Sequence, residues 1–214
     1  MSRIIDRGLE AQSVLIVKMG ELTCETLEIS IHGYLEGKSV QEQVKELSDI
    51  LLSMAEKVED EAFQLIARFQ PVATDLRTIK SYMKIGNDFA RYGRYALDIS
   101  IINDQLKGLK HCEAWTRDYI SEMSEKVLSM VQISVDSLKK QDIILAKTIS
   151  KTERDVDKMY FDYLDKLINA EHANSKCVIS SALMTRYLER IADHAVYVCE
   201  SIVYIVTGEK VTLG

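Results

Sequence analysis

Apolar side chains recur every three to four residues along six long stretches of the chain, the spacing of helices with one buried face. The stretches run over about 9–35, 39–69, 71–106, 114–139, 142–169, and from the end of "EHANS" to 206. The breaks between them are short. "EGK" closes the first stretch, and Ser39 followed by Glu42 offers a capping box for the second. Pro71, the single proline, suits the first turn of the third, where its missing N–H would be unpaired anyway. "KGLKHCE" separates the third from the fourth, and Gly208 supplies a stop after the sixth. A helix of about 30 residues is roughly 45 Å long, and short connections make neighbours antiparallel.

Three long segments, a loop, and three more long segments suggest an internal duplication. Phe89, Arg91, Ala96 and Ile99 match Leu188, Arg190, Ala195 and Val198 at a constant offset of 99. The expected fold is therefore all-α: two tandem three-helix bundles of six long antiparallel helices. The first is expected over 1–110 and the second over 111–214. With nine Gly and one Pro in 214 residues, the chain lacks the turn formers that a β-rich protein of this size needs.

On the sixth helix, Leu183, Tyr187, Ile191, His194, Val198, Ile202 and Ile205 share one side at about 100° per residue, which makes them the expected core stripe. Glu189, Asp193 and Glu200 share the opposite side and form an acidic row facing outward. Glu189 and Asp193 are one turn apart, where like charges repel unless a cation lies between them. A solvated face balanced by Arg186 and Arg190 is the plain reading of that pair. Glu153 and Asp157 repeat the spacing on the fifth helix, so two pairs could face each other across a hairpin. Such oxygen donors suit iron, manganese, magnesium or calcium, and suit zinc less. His194, on the apolar stripe, reads as a hydrogen-bonded core residue.

Other chemistry finds little support. No Glu is followed by His three residues later, which a ferritin-like di-metal enzyme would need. There is no phosphate-binding loop and no nucleophile motif, so the chain is expected not to be an enzyme. A net charge of −6 argues against a nucleic-acid partner. Cys24, Cys112, Cys177 and Cys199 are scattered and read as reduced, mostly buried residues. No apolar run approaches membrane-spanning length, and the N-terminal residues lack a signal-like apolar region. A cytoplasmic protein, peripheral to a membrane at most, is expected.

Three stretches carry a resemblance: "ARFQPVATDLR" over 67–77, "ERDVDKMYFDYL" over 153–164 and "YLERIADHAVYVCESIVYIVTGE" over 187–209. Together they resemble the PhoU family of phosphate-uptake regulators. The resemblance implies two similar three-helix bundles, each with a metal ion or small metal cluster held by Glu/Asp-x-x-x-Asp motifs on its outer surface. By position it assigns Glu189, Asp193, Glu153 and Asp157 as metal ligands in the second half. The first half departs from the pattern, with Ala90 and Arg94 at the motif positions and Asp49 alone nearby. The resemblance further implies a regulator that restrains phosphate import, in contact with a transporter subunit, a signalling kinase or both, and acting as a homodimer. Service to another ion transport system is the alternative, and a carboxylate-bridged metalloenzyme a weaker one.

Overall fold

The computed structural model describes residues 4–170 and 174–214. Among them there are helices and no strands: α1 (Ile4–Glu36), α2 (Gln41–Phe69), α3 (Ala73–Leu106), α4 (Ala114–Lys140), α5 (Ile143–Lys147), α6 (Ile149–Ile168) and α7 (Ser175–Thr207). Helices α1, α2 and α3 pack on one another, and so do α4, α6 and α7. The expected pair of three-helix bundles is present. They also pack side by side, α3 against α7 and α1 against α4. One core runs through both, joining Leu27, Val58 and Phe89 to Val127, Leu188 and Val198. Gly20 helps to close the seam: a Cβ there would meet the Phe89 ring and Val135 Cγ1 at 3.2 Å, so a larger residue would require those side chains to yield by a few tenths of an ångström.

Several helix ends differ from the sequence reading. Ser39 does not cap α2. The N-cap is Val40, and the Ser39 hydroxyl donates to Asp104 Oδ2 at 2.7 Å, tying the start of α2 to the end of α3. Pro71 lies just before α3 rather than inside it. Gln70 ends α2 in the left-handed region, and the proline follows that cap, where a helix cannot continue. Gly208 does end the last helix, at φ 79°.

The fifth predicted helix is two. Asp142 caps α5 by accepting from the Ile144 and Leu145 amides. At Thr148 the hydroxyl and the amide both donate to the Leu145 carbonyl, at 2.7 and 3.0 Å. That i−3 bond replaces the regular i−4 bond and re-aims the chain. The stripe Ile149, Glu153, Val156 and Tyr163 of α6 is thereby turned into the bundle.

The core stripe of α7 needs one correction. Ile191, His194, Val198, Ile202 and Ile205 are buried and Tyr187 half-buried, but Leu183 is exposed. Met184 and Leu188 take its place. Helix α7 touches α3, α4, α5 and α6, so it buries more than one stripe and the single-face reading puts its centre about one residue off.

The cysteine reading fails for two of the four. Cys112, in the α3–α4 connection, and Cys177, in the first turn of α7, form a disulfide with their Cα atoms 5.1 Å apart. The sequence could not foresee this, since 65 residues separate them and only the packing of the bundles brings those ends together. Cys24 and Cys199 are free thiols, and burial raises them to about 11 and about 12.

Candidate metal centre

Helices α6 and α7 pack as an antiparallel pair and place carboxylates from both at one point. One oxygen each from Glu153, Asp157 and Asp193 lies within 4.8 Å of the other two. Oxygen–metal bonds of roughly 2.0–2.6 Å require ligand oxygens at about such separations, so one cation fits between the three. Glu153 is buried because it occupies the apolar stripe of α6, one turn from Ile149 and Val156. Its Oε2 is buried with no hydrogen-bond partner in the protein. A buried, unpartnered carboxylate oxygen is costly, and a cation bound there would remove that cost. The residues present therefore fit a metal with hard oxygen ligands.

Glu189, the fourth residue of the predicted set, lies beside the trio but is held elsewhere. Its Oε2 is 2.7 Å from Arg186 Nη1, off the N–H axis, and Arg190 approaches the same atom at 3.9 Å. Arg190 also reaches Asp193 at 3.7 Å. The plain reading, in which these arginines balance the acidic row, describes Glu189 in this structure. Nor is the row a fully outward surface. The side chains of Glu189 and Asp193 are only 12% and 23% exposed. After α7 the chain turns at Gly208 and runs back along the helix, with the Leu213 amide donating to Glu200 Oε1 at 3.1 Å. Gly214 reaches Glu153, where a Cβ would come within 3.1 Å of Oε1.

Burial first, and neighbouring carboxylates second, raise the carboxyls of Glu153, Glu189 and Asp193 above their usual range. Asp157 and Asp193 act on Glu153, Asp193 on Glu189, and Asp157 on Asp193; Arg186 and Arg190 oppose the last two shifts. The sign for stability follows. A raised carboxyl binds protons more readily folded than unfolded, so its contribution falls as pH rises from the unfolded value through the raised one. With chelator present, the wild type is expected to lose melting temperature relative to a Glu153→Gln, Glu189→Gln, Asp193→Asn variant as pH rises through and above the ordinary carboxylate range. Parallel melting curves across that range would contradict the raised values.

Among the described residues of the first bundle the motif positions are occupied otherwise. Ala90 packs on the core, Arg94 pairs with Asp98 at 3.6 Å, and Asp49 is exposed. Among the described residues, the α6–α7 trio is the one group of three acidic, His or Cys side chains close enough to hold an ion.

Sequence reasoning missed the polar link across the bundle seam. His194 is buried as expected, but its partner is Asp88 on α3, with Nδ1 and Oδ1 2.8 Å apart. Tyr95 meets the same imidazole and the Tyr187 ring at tilted angles, with centroids 5.7 and 6.0 Å away. At the offset of 99, Asp88 corresponds to Tyr187 and Tyr95 to His194. The Asp88–His194 and Tyr95–Tyr187 contacts are therefore mates about a pseudo-two-fold between α3 and α7. The repeat offset was the available signal, had it been applied to contacts as well as to residues.

The PhoU domain model matches the chain twice, over 16–102 and 120–202. The chain belongs to the PhoU family. It is 30% identical to a phosphate-specific transport system accessory protein PhoU homolog of Clostridium acetobutylicum, covering 99% of this chain and 98% of that one. It is 28% identical to the homolog so named in Pseudomonas aeruginosa, over 99% and 88%. The crystal structure of PhoU from P. aeruginosa superposes with a TM-score of 0.89 at 27% identity, covering 95% of this chain and 99% of that one. The phosphate transport system regulatory protein PhoU from Streptococcus pneumoniae, at 21% identity, shares the fold with a TM-score of 0.76. Within the PhoU repeat as this chain carries it, the acidic cluster belongs to the second match alone.

Proposed function

We propose that this PhoU-family protein is a regulatory accessory protein of phosphate transport, restraining phosphate import when phosphate is plentiful. The observation that carries this reading is end-to-end similarity. The chain and its C. acetobutylicum relative cover 99% and 98% of each other, and that relative is named as an accessory of phosphate-specific transport. Regulation here means binding, not turnover. The reading gives the carboxylates a structural or sensing role and assigns no catalytic residue.

The mechanism is built on two surfaces. Glu153, Asp157 and Asp193, with Glu189 if released from Arg186, hold a metal ion or small cluster of iron, manganese, magnesium or calcium. The metal neutralises the converging charges of Glu153, Asp157 and Asp193 and stiffens the α6–α7 pair. The outer helix faces then dock on a transporter subunit, a signalling kinase or both, and on a second copy as a homodimer. Exposed Phe161 and Ile168 on α6 and Ile179 and Leu183 on α7 supply apolar surface for such contacts. The protein acts from the cytoplasm against a membrane partner; among the described residues no helix is long and apolar enough to cross a membrane. Residues 1–110 and 111–214 serve as the two units, one carrying the fold and the other the fold and the metal.

Phosphate uptake measures this directly. Cells lacking the protein are expected to import labelled phosphate faster in phosphate-rich medium, with restraint restored by the wild-type chain. Unchanged uptake in the null strain, or a change confined to another ion, would defeat the reading.

A further inference from the structure

A second site lies between α3, α7 and the segment that follows α7, whose last residue, Gly214, reaches Glu153; it does not rest on the transport reading. We propose that this cavity binds a phosphate monoester, with the phosphate on Lys80, Lys84 and Lys210 and the organic part against Tyr204 and Val211. The cavity holds about 290 Å³, close to the roughly 300 Å³ at which small-ligand pockets begin.

Its charge runs against the rest of the molecule. In a chain of net charge −6, three lysines and one carboxylate, Glu200, line the cavity. Glu200 already accepts from the Leu213 amide. None of the three lysines has a carboxylate within ion-pair distance among the described residues. Lys80 and Lys84 are one turn apart on α3, where like charges repel and a bound anion would reverse the sign. Lys210 arrives from outside the helices. The left-handed turn at Gly208 sends the chain back, and the Glu200–Leu213 hydrogen bond fixes it over the groove.

The walls point to the class of ligand. Ser81 adds a hydroxyl near the lysines. Arg77 donates to the Ile205 carbonyl at 3.3 Å and stacks 5.8 Å above the Tyr204 ring, which sets that ring as one wall. Most of the lining is apolar, from Tyr204, Val211 and lysine stems. Bare orthophosphate would leave that surface against water, whereas a monoester covers it. The chemistry is binding alone, with no bond made or broken.

Titration calorimetry with adenosine monophosphate, at low salt and with chelator present, tests the proposal. One saturable site per chain is expected, with adenosine and orthophosphate each about ten-fold weaker or worse. Lys84→Ala with Lys210→Ala should weaken binding about ten-fold or more, the order of a lost charge-assisted contact. Lys57→Ala, on α2 away from the cavity, should leave it unchanged. Lysines on an exposed rim contribute little to folding, so both variants should keep the wild-type melting temperature. The proposal is overturned by no saturation, by orthophosphate binding as tightly as the nucleotide, or by unchanged affinity in the lysine variant.

Discussion

Replacing Asp193 with alanine is expected to lower metal affinity by about a hundred-fold or more. Loss of an outer-shell partner alone costs about 10–100-fold, and Asp193 is proposed as a direct ligand. It is the residue through which α7 joins the trio, its oxygen lying within 4.8 Å of those of Glu153 and Asp157. Metal at about a hundred times its dissociation constant stabilises the folded state by about 2.7 kcal/mol. For a chain of this size that is a rise of roughly 5–10 °C in melting temperature. The wild type should show the rise and Asp193→Ala should not. With chelator the order should invert. The isosteric Asp193→Asn removes a carboxylate that burial and Asp157 push toward its neutral form, so it should melt above the metal-free wild type. Elemental analysis after dialysis counts the ions. Full metal content in Asp193→Ala, or a second ion traced by anomalous scattering to the Ala90–Arg94 region, would show that the pair has been misread. Glu189→Ala separates two roles: a smaller loss than Asp193→Ala is expected, because Arg186 holds Glu189 aside.

Phe89→Ala is expected to destabilise the whole molecule by about 3–5 kcal/mol, through lost burial and the cavity left behind. Phe89 is fully buried on α3 and reaches Gly20 of α1 in the first bundle and a core that continues into the second. Its repeat mate Leu188 is equally buried, and Leu188→Ala should cost about 2–5 kcal/mol. The shared core sets the form of the loss. Denaturation followed by Trp115 fluorescence, in the second bundle, and by far-ultraviolet dichroism, which reads both, should give one coincident transition. Phe89→Ala should move both signals together. Two transitions, with only one displaced by Phe89→Ala, would mean that the bundles fold on separate cores.

Most of the architecture was legible because helices are local. A 3.6-residue apolar period and a shortage of Gly and Pro state both the class and the count, and only the split at Thr148 escaped. There a single side chain redirects one carbonyl's hydrogen bond, a choice that the period of its neighbours does not record. The ligand candidates were legible for the same reason, since two carboxylates one turn apart on a helix share a face. Three of the four bring an oxygen within 4.8 Å of one another.

The exceptions depend on partners far away in the chain. The sequence determined six long helical stretches, a duplicated third helix, a motif lost at Ala90 and Arg94, and carboxylate pairs on neighbouring helices. Tertiary structure alone decided that both bundles share one core, that Asp88 meets His194, that Cys112 meets Cys177, and that the chain after Gly208 carries Lys210 over α3. Periodicity reports how one helix divides inside from outside. Which inside meets which is set by burying the remaining apolar surface between helices, and that energy belongs to no single segment.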